Sequence, residues 1–449
     1  MVSAVGQRLR GTAAAAAFVC LAAALSSVVD TPNAQAEGNG LATTPAMGWS
    51  SWSFVRSHPT AAVIDAQADA LVSSGLNNHG FDYVNLDDFW MKCDSNGPVV
   101  DANGRWVVDT AKFPGGIKAV ADHVHADGLK FGLYVTPGIA ANAVTANSPI
   151  AGSTAHAKDI ADTSVTEKNY NCKHMYGIDY SNAGAQAFVN SWAAQFASWG
   201  VDYLKIDGVG ASDIPDVQAW SSALRASGRP ITIALSNNLA IANASTWQQY
   251  ANSWRVSGDI ECYCASSGSY PLTSWAKAAG RFTLASSWQP FGGPGAWNDL
   301  DSLEIGNGTN DGLTSDQRRS VLTLWSMAAS PLLLGTDLTS IDPTDKAMLT
   351  NVSVLGVDKD GGTAKRLSNS GGRQVFAKKE SSGAVVIALF NTNTSGNQTV
   401  SVTLTSAGIA SGKATVTDLW SQHSGGTVTG TYSATLRPGE TRLIRAVGA

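Results

Sequence analysis

Charge is scarce in this chain. Asp, Glu, Lys and Arg make up 14% of its 449 residues and sum to a net −5, against roughly 25% charged residues in an average globular domain. A weakly acidic surface with no basic excess argues against nucleic acid as a partner. Histidine is rarer still, seven in all, and none stands at ligand spacing from a cysteine, so no zinc site is expected. His123 and His125, two apart on an expected helix, face different ways and read as surface residues. No GxGxxG and no P-loop occurs, which leaves a nucleotide-binding open sheet without its signature. Long apolar runs are missing as well, with one exception from about Thr12 to Val29, behind Arg8 and Arg10 and ahead of NAQA with Ala34 and Ala36. Its length and its three-part order are those of a secretory signal peptide rather than a membrane span. Residues 1–36 are therefore set apart from the fold, and the mature protein is expected to be secreted, soluble and free of membrane. Losing two Arg and one Asp with that leader moves the net charge from −5 to −6. Of five cysteines, Cys20 belongs to the leader and Cys93, Cys172, Cys262 and Cys264 remain. An even count in an exported chain favours disulfides over a metal, with Cys93 expected to pair with Cys172 and Cys262 with Cys264.

What the chain does have is alternation. Short apolar runs recur at MGWSS (47–51), YVNLDD (83–88), KFGLYV (130–135), DYLKID (202–207), ITIALS (231–236), SWRVSGD (253–259), AWNDLD (296–301) and SPLLLG (330–335). Amphipathic segments lie between them, such as 183–200, where Phe188, Trp192, Phe196 and Trp199 recur at helical spacing. Strand then helix, about eight times over, predicts an α/β fold of the (β/α)8 TIM barrel type across 37–360, with a doubly wound sheet as the alternative. The stretch 137–180 breaks the rhythm and is expected to be a long functional loop over the barrel mouth. Beyond 360 the texture changes to short alternating strands between Gly, Ser and Asn turns, which predicts a C-terminal antiparallel β-sandwich over 361–449. It reads as a packed accessory domain, with sugar binding as the other possibility.

VDYLKIDGVG (201–210) carries two opposite charges at the exit of a buried-looking strand. Residues two apart share a face, so Tyr203, Lys205 and Asp207 point into the barrel while Leu204 and Ile206 pack on helices. Asp207 then emerges at the C-terminal mouth, where barrel enzymes hold their sites, and Lys205 favours its carboxylate form. Asp87 and Asp88 close the second strand, Arg255 and Asp259 the sixth, Asp299 and Asp301 the seventh. One such Asp is more often a cap or turn former. Four acidic strand ends beside Lys, Arg and Trp suit cleavage of a glycosidic bond, which needs two carboxyl groups across a cleft. Trp49, Trp52 and Trp90 are candidates to stack on a sugar ring.

Taken together and in order, LATTPAMGWSSW, NLDDFW, FASWGVDYLKIDG, NSWRVSGDI, AWNDLDSLEIGNG and MAASPLLLGTDL resemble glycoside hydrolase family 27, over essentially the whole mature chain. The resemblance implies a retaining glycosidase, α-galactosidase-like, acting on an oligosaccharide or polysaccharide with no metal and no organic cofactor. It makes Asp207 the nucleophile and Asp259 the acid/base. It gives Asp87 and Asp88 the 4- and 6-hydroxyls of galactose, and aligns Trp49, Lys205, Arg255 and Asp301 with the sugar pocket. After the fifth strand, Ser236, Asn237 and Asn238 replace the family segment that reads the 2-substituent, and Asn237 is taken as its substrate contact. Phe89, Val209, Leu300 and Ser302 depart from the family pattern as well. These departures keep β-L-arabinopyranosidase, α-N-acetylgalactosaminidase and isomalto-dextranase open as alternatives, with an inactive carbohydrate-binding protein as the alternative of another class.

Overall fold

Eight short parallel strands ring a polar interior in the computed structural model of the protein, which describes residues 37–449; the leader expected at 1–36 lies outside the described residues. They are β1 (Met47–Ser50), β2 (Tyr83–Leu86), β3 (Lys130–Val135), β4 (Tyr203–Ile206), β5 (Thr232–Leu235), β6 (Ser253–Arg255), β7 (Trp297–Asp299) and β8 (Leu332–Leu334). Their order is β7-β6-β5-β4-β3-β2-β1-β8, and a parallel bridge between Leu303, just past β7, and Leu334 of β8 closes the ring. The eight expected runs hold these eight strands, and Asp87, Asp88, Asp207, Asp259 and Asp301 fall just beyond the ladder while Asp299 ends β7 within it. Alternation sorts the side chains: Leu204 and Ile206 are fully buried against the helical layer, while Tyr203 and Lys205 line the interior with Ser50, Asn85, Ala234, Ser236, Arg255 and Asp299. A Cβ on Gly132 of β3 would collide with Asn85 Oδ1, so glycine there makes room for a polar side chain inside the barrel.

The helices close the outside. Ala183–Trp199 begins at Asn182, whose side chain accepts from Gly184 N, and stops at Gly200 with φ +85°, the left-handed C-terminal signal. Its Phe188, Trp192 and Phe196 are buried, with Trp192 edge-on to Trp106 at 5.5 Å between ring centroids.

The 137–180 stretch holds more structure than its composition announces. Two short helices, Ala141–Ala146 and Ala157–Ile160, flank an antiparallel sheet of Ile139–Ala140, Lys173–Ile178 and Ala161–Asn169. Residues 163–166 are all exposed, so no two-residue apolar period marks that strand. The turn of the hairpin is tied to the segment after β2 by a Cys93–Cys172 disulfide, Cα atoms 5.2 Å apart.

After the helix Val352–Lys359, a six-stranded antiparallel sheet and a two-stranded one face each other around Val375, Ile387, Leu389, Val400, Val402, Leu436 and Ile444. The central strand Val385–Asn391 is buried along its whole length, because its other face turns Val386, Ala388 and Phe390 into the barrel's core. Phe390 meets Phe282 edge-on at 4.8 Å, and Trp275 Nε1 donates to Thr392 O. Lys378 donates to the carbonyls of Ser326, Val357 and Gly362; its burial pulls the ammonium pKa down to about 8.

Candidate active site

The ends of five strands and one loop converge on a cleft of about 300 Å³ lined by Trp52, Asp87, Asp88, Tyr134, Tyr170, Lys205, Asp207 and Asp259. Asp207 is the first residue beyond β4, with its N–H donating to Val135 O at 2.8 Å. Asp87 and Asp88 follow β2 and are both buried. Each carboxylate caps the next peptide: Asp88 N donates to Asp87 Oδ1 (2.8 Å) and Phe89 N to Asp88 Oδ1 (2.6 Å). Asp87 Oδ2 takes the Lys205 ammonium at 2.7 Å, so the direct partner of that lysine is Asp87, two strands along the barrel wall, with Asp207 as a second nearby charge.

Asp259 stands four residues beyond β6 on the turn 256–259. Arg255 Nη2 donates to its Oδ1 at 2.8 Å and the Tyr263 hydroxyl donates to its Oδ2. The same guanidinium reaches Asp301 Oδ1 at 2.9 Å through Nη1, and Ile260 N donates to Asp301 Oδ2. Arg255 thus bridges the carboxylates of this corner and supplies their positive charge.

Environment separates the acids. Burial alone would raise the Asp259 pKa, but Arg255 and then the Tyr263 hydrogen bond outweigh it and hold it at about 2 in the open cleft, which favours the carboxylate there. Asp88 goes the other way, pushed up to about 7 by burial, and Asp87 is raised by burial against the pull of Lys205. Burial would lower the Lys205 ammonium, yet Asp87 and Asp207 together hold it above the ordinary lysine value. The cleft therefore presents one carboxylate kept charged, one acid near its titration point and a permanent cation.

Of the residues singled out from sequence, the fold brings Asp87, Asp88, Lys205, Asp207 and Asp259 to this cleft. Arg255 and Asp301 line the adjoining space that runs into the barrel. Trp49 is a correction: its side chain is fully buried and donates to Thr336 O at 2.7 Å. It shares the outward parity of Met47, and the tryptophan that meets the cleft is Trp52, past the strand end. Trp90 is also fully buried. Asn237 is exposed, with φ +133°, and is not among the residues lining either space; Ser236, beside it, faces inward.

Tyr134, Tyr170 and Tyr263 are additions that sequence inspection missed. Tyr134 had a signal, since it shares the inward parity of Gly132 in KFGLYV. Tyr170 had none, because long-range contacts, the Cys93–Cys172 disulfide among them, bring the hairpin turn to the mouth. There its ring packs edge-on to Trp52 at 5.3 Å, and the neighbouring Asn171 N donates to Asp88 Oδ2 at 2.8 Å. Replacing Cys93 and Cys172 together by serine frees this roof. The expected result is a KM raised about tenfold, the worth of one hydrogen bond to a charged group, and about 2–4 kcal/mol less stability, read by steady-state kinetics and denaturant melts.

Three non-glycine residues with positive φ stand at the same end of the barrel: Phe89 (+72°), Tyr263 (+50°) and Asp301 (+87°). Each costs about 1–3 kcal/mol, and the packing around the mouth has to bear it.

Two carboxylates on one cleft at the C-terminal face of a barrel are equipped for acetal cleavage. A family model described as Alpha galactosidase A matches residues 44–175 and 174–360, and one described as Alpha galactosidase C-terminal beta sandwich domain matches 370–446. An α-galactosidase from Oryza sativa subsp. japonica is 32% identical over 412 residues, covering 90% of this chain and 85% of its own. One from Cyamopsis tetragonoloba is 32% identical over 403 residues, covering 88% and 84%. Among solved structures, a family 27 β-L-arabinopyranosidase from Geobacillus stearothermophilus, in complex with arabinose, superposes with a TM-score of 0.82 at 29% identity, covering 91% of this chain and 98% of its own. The chain is a glycoside hydrolase and belongs to family 27, the α-galactosidase family.

Proposed function

We propose that the protein is a secreted, retaining exo-glycosidase that releases terminal α-linked galactose through a covalent glycosyl-Asp207 intermediate. The observation that carries this is one cleft in which Asp207 and Asp259 stand with the acidic pair Asp87 and Asp88. Asp207 attacks the anomeric carbon as its bond to the leaving oxygen breaks, and the proton of Asp259 passes to that oxygen. Water then attacks the same carbon, its proton returns to Asp259, and the ester bond to Asp207 breaks. The second step needs Asp259 ionised, which is the state that Arg255 and Tyr263 maintain. The first needs it protonated, and an aglycone that covers the carboxyl drives out water and moves its pKa upward, the direction that burial already pushes.

Asp87 and Asp88 accept from the sugar's 4- and 6-hydroxyls, Lys205 donates, and Trp52 and Tyr134 supply apolar walls. The roof made by Tyr170 favours a chain end over a chain interior. A second reading, β-L-arabinopyranosidase, is favoured by the backbone similarity to the arabinose complex. The two sugars differ by a hydroxymethyl group, and the retained Asp87–Lys205 pair favours the sugar that has it. A panel of 4-nitrophenyl α-galactoside, β-L-arabinopyranoside and α-N-acetylgalactosaminide, with dextran digestion beside it, decides the matter. The galactoside is expected to give the highest kcat/KM, by about 10-fold or more, the worth of one well-made hydrogen bond to a charged group. Faster turnover of the arabinoside, or release of sugar from dextran alone, overturns the assignment.

A further inference from the structure

We propose that Tyr263, presented by the Cys262–Cys264 ring, is the positioning residue that holds Asp259 in place as the base of the second chemical step. This rests on the acid/base role of Asp259 given above. The sequence Cys-Tyr-Cys closes on itself, with the Cα atoms of Cys262 and Cys264 5.1 Å apart. Tyr263 between them adopts φ +50°, a backbone that a bulky side chain rarely takes. The ring is anchored at its start, where Cys262 N donates to Leu272 O at 2.9 Å.

The direction of the hydrogen bonds is fixed by chemistry. An indole N–H only donates, so Trp52 Nε1, 3.0 Å from the Tyr263 hydroxyl oxygen, makes that oxygen an acceptor. The single hydroxyl proton is then left for Asp259 Oδ2, to which Tyr263 donates. From above, the Arg56 guanidinium lies 5.0 Å from the Tyr263 ring centroid, its Nη1 donating to Ala265 O. Trp52 lines the sugar cleft, so a chain of contacts runs from the wall of the pocket to the acid/base. Arg255 fixes one oxygen of Asp259 and Tyr263 the other, which together set the plane of the carboxylate. The carbonyl of Asp259 is held as well, by Lys277 Nζ at 3.2 Å.

A base must meet its water at a defined angle and distance, and a carboxylate pinned at one oxygen alone is free to turn. The defect expected without Tyr263 is therefore confined to the step in which Asp259 takes a proton from water. An activated aryl glycoside needs little acid help to enter the glycosyl-enzyme, so its kcat reports the second step and its kcat/KM the first. Azide, a nucleophile that requires no base, bypasses Asp259.

The experiment compares Tyr263→Phe, the Cys262→Ser/Cys264→Ser double variant and Asp259→Asn on whichever aryl glycoside of the panel the enzyme turns over fastest, with and without sodium azide. For Tyr263→Phe and for the double variant, kcat is expected to fall about tenfold with kcat/KM within about twofold, and azide is expected to restore kcat. For Asp259→Asn the fall in kcat is larger and azide restores it too. Equal losses in kcat and kcat/KM without azide rescue, or an unchanged kcat in Tyr263→Phe, overturn the proposal while a rescued Asp259→Asn leaves the acid/base assignment standing. A double variant that behaves as wild type removes the ring from it. If Asp259→Asn itself shows no azide rescue, the acid/base assignment fails and the role of Tyr263 with it.

Discussion

Replacing Asp207 by asparagine is expected to reduce kcat about ten-thousandfold or more, the loss typical of removing a covalent nucleophile, while sugar binding stays within a few-fold. Asparagine keeps the size and one acceptor of the side chain but cannot form a productive ester with the anomeric carbon. The fold should tolerate it, because Asp207 stands half-buried past the end of β4 and its backbone bond to Val135 is independent of the side chain. Isothermal titration with galactose alongside the kinetics checks both halves. A variant that still turns over at a tenth of the original rate removes Asp207 from the mechanism, and one that neither turns over nor binds points to a sugar-holding role instead.

The second large effect is expected at Asp87. It is buried, accepts Lys205 Nζ at 2.7 Å and takes Asp88 N as well. Asp87→Ala strands the lysine ammonium without its partner, a change worth about 3–5 kcal/mol of stability when the pair is buried. It also removes an acceptor offered to the sugar, about 1.5–3 kcal/mol or 10- to 150-fold in kcat/KM. Asp87→Asn separates the two contributions in part: its single amide oxygen still accepts from Lys205 but leaves Asp88 N without its acceptor, and its affinity for a sugar hydroxyl weakens. The asparagine variant should therefore lose less stability than the alanine variant yet lose activity on the galactoside more than on the arabinopyranoside. Equal losses on both glycosides would mean that Asp87 does not read the hydroxymethyl group.

The two acids sit where they do for reasons that were partly legible in the chain. A buried strand needs a period of two, and that period alone set Lys205 on the inner face and Leu204 and Ile206 on the outer. The eight apolar runs announced the barrel because strand-to-helix rhythm is a property of local sequence. What lay beyond local sequence went unread for specific causes. Trp49 and Trp52 are three residues apart in one motif, and alternation ends with the strand at Ser50, so parity could not say which of them meets the cleft. Nearness in sequence pairs Lys205 with Asp207, yet a lysine stem reaches past the neighbouring strand, and its ammonium bonds Asp87, 118 residues away. The hairpin 161–178 exposes 163–166 in a row, which erases the apolar pattern of a strand there. Tyr170 and Tyr263 were invisible for a common reason: each is delivered by a disulfide, and cysteine parity suggests that bonds form without saying what they carry to the site.

The proposed reaction turns on Asp207 becoming covalently bonded to the sugar while it shares a cleft with Asp259. Peptide mapping by mass spectrometry, after inactivation with a galactose analogue bearing fluorine beside the anomeric carbon and an activated leaving group, tests it most directly. The expected result is the mass of one fluorinated glycosyl group on the peptide that contains Asp207, and no labelling in Asp207→Asn. Label on another carboxylate, or full turnover of substrate with no covalent adduct and inverted product, would contradict it.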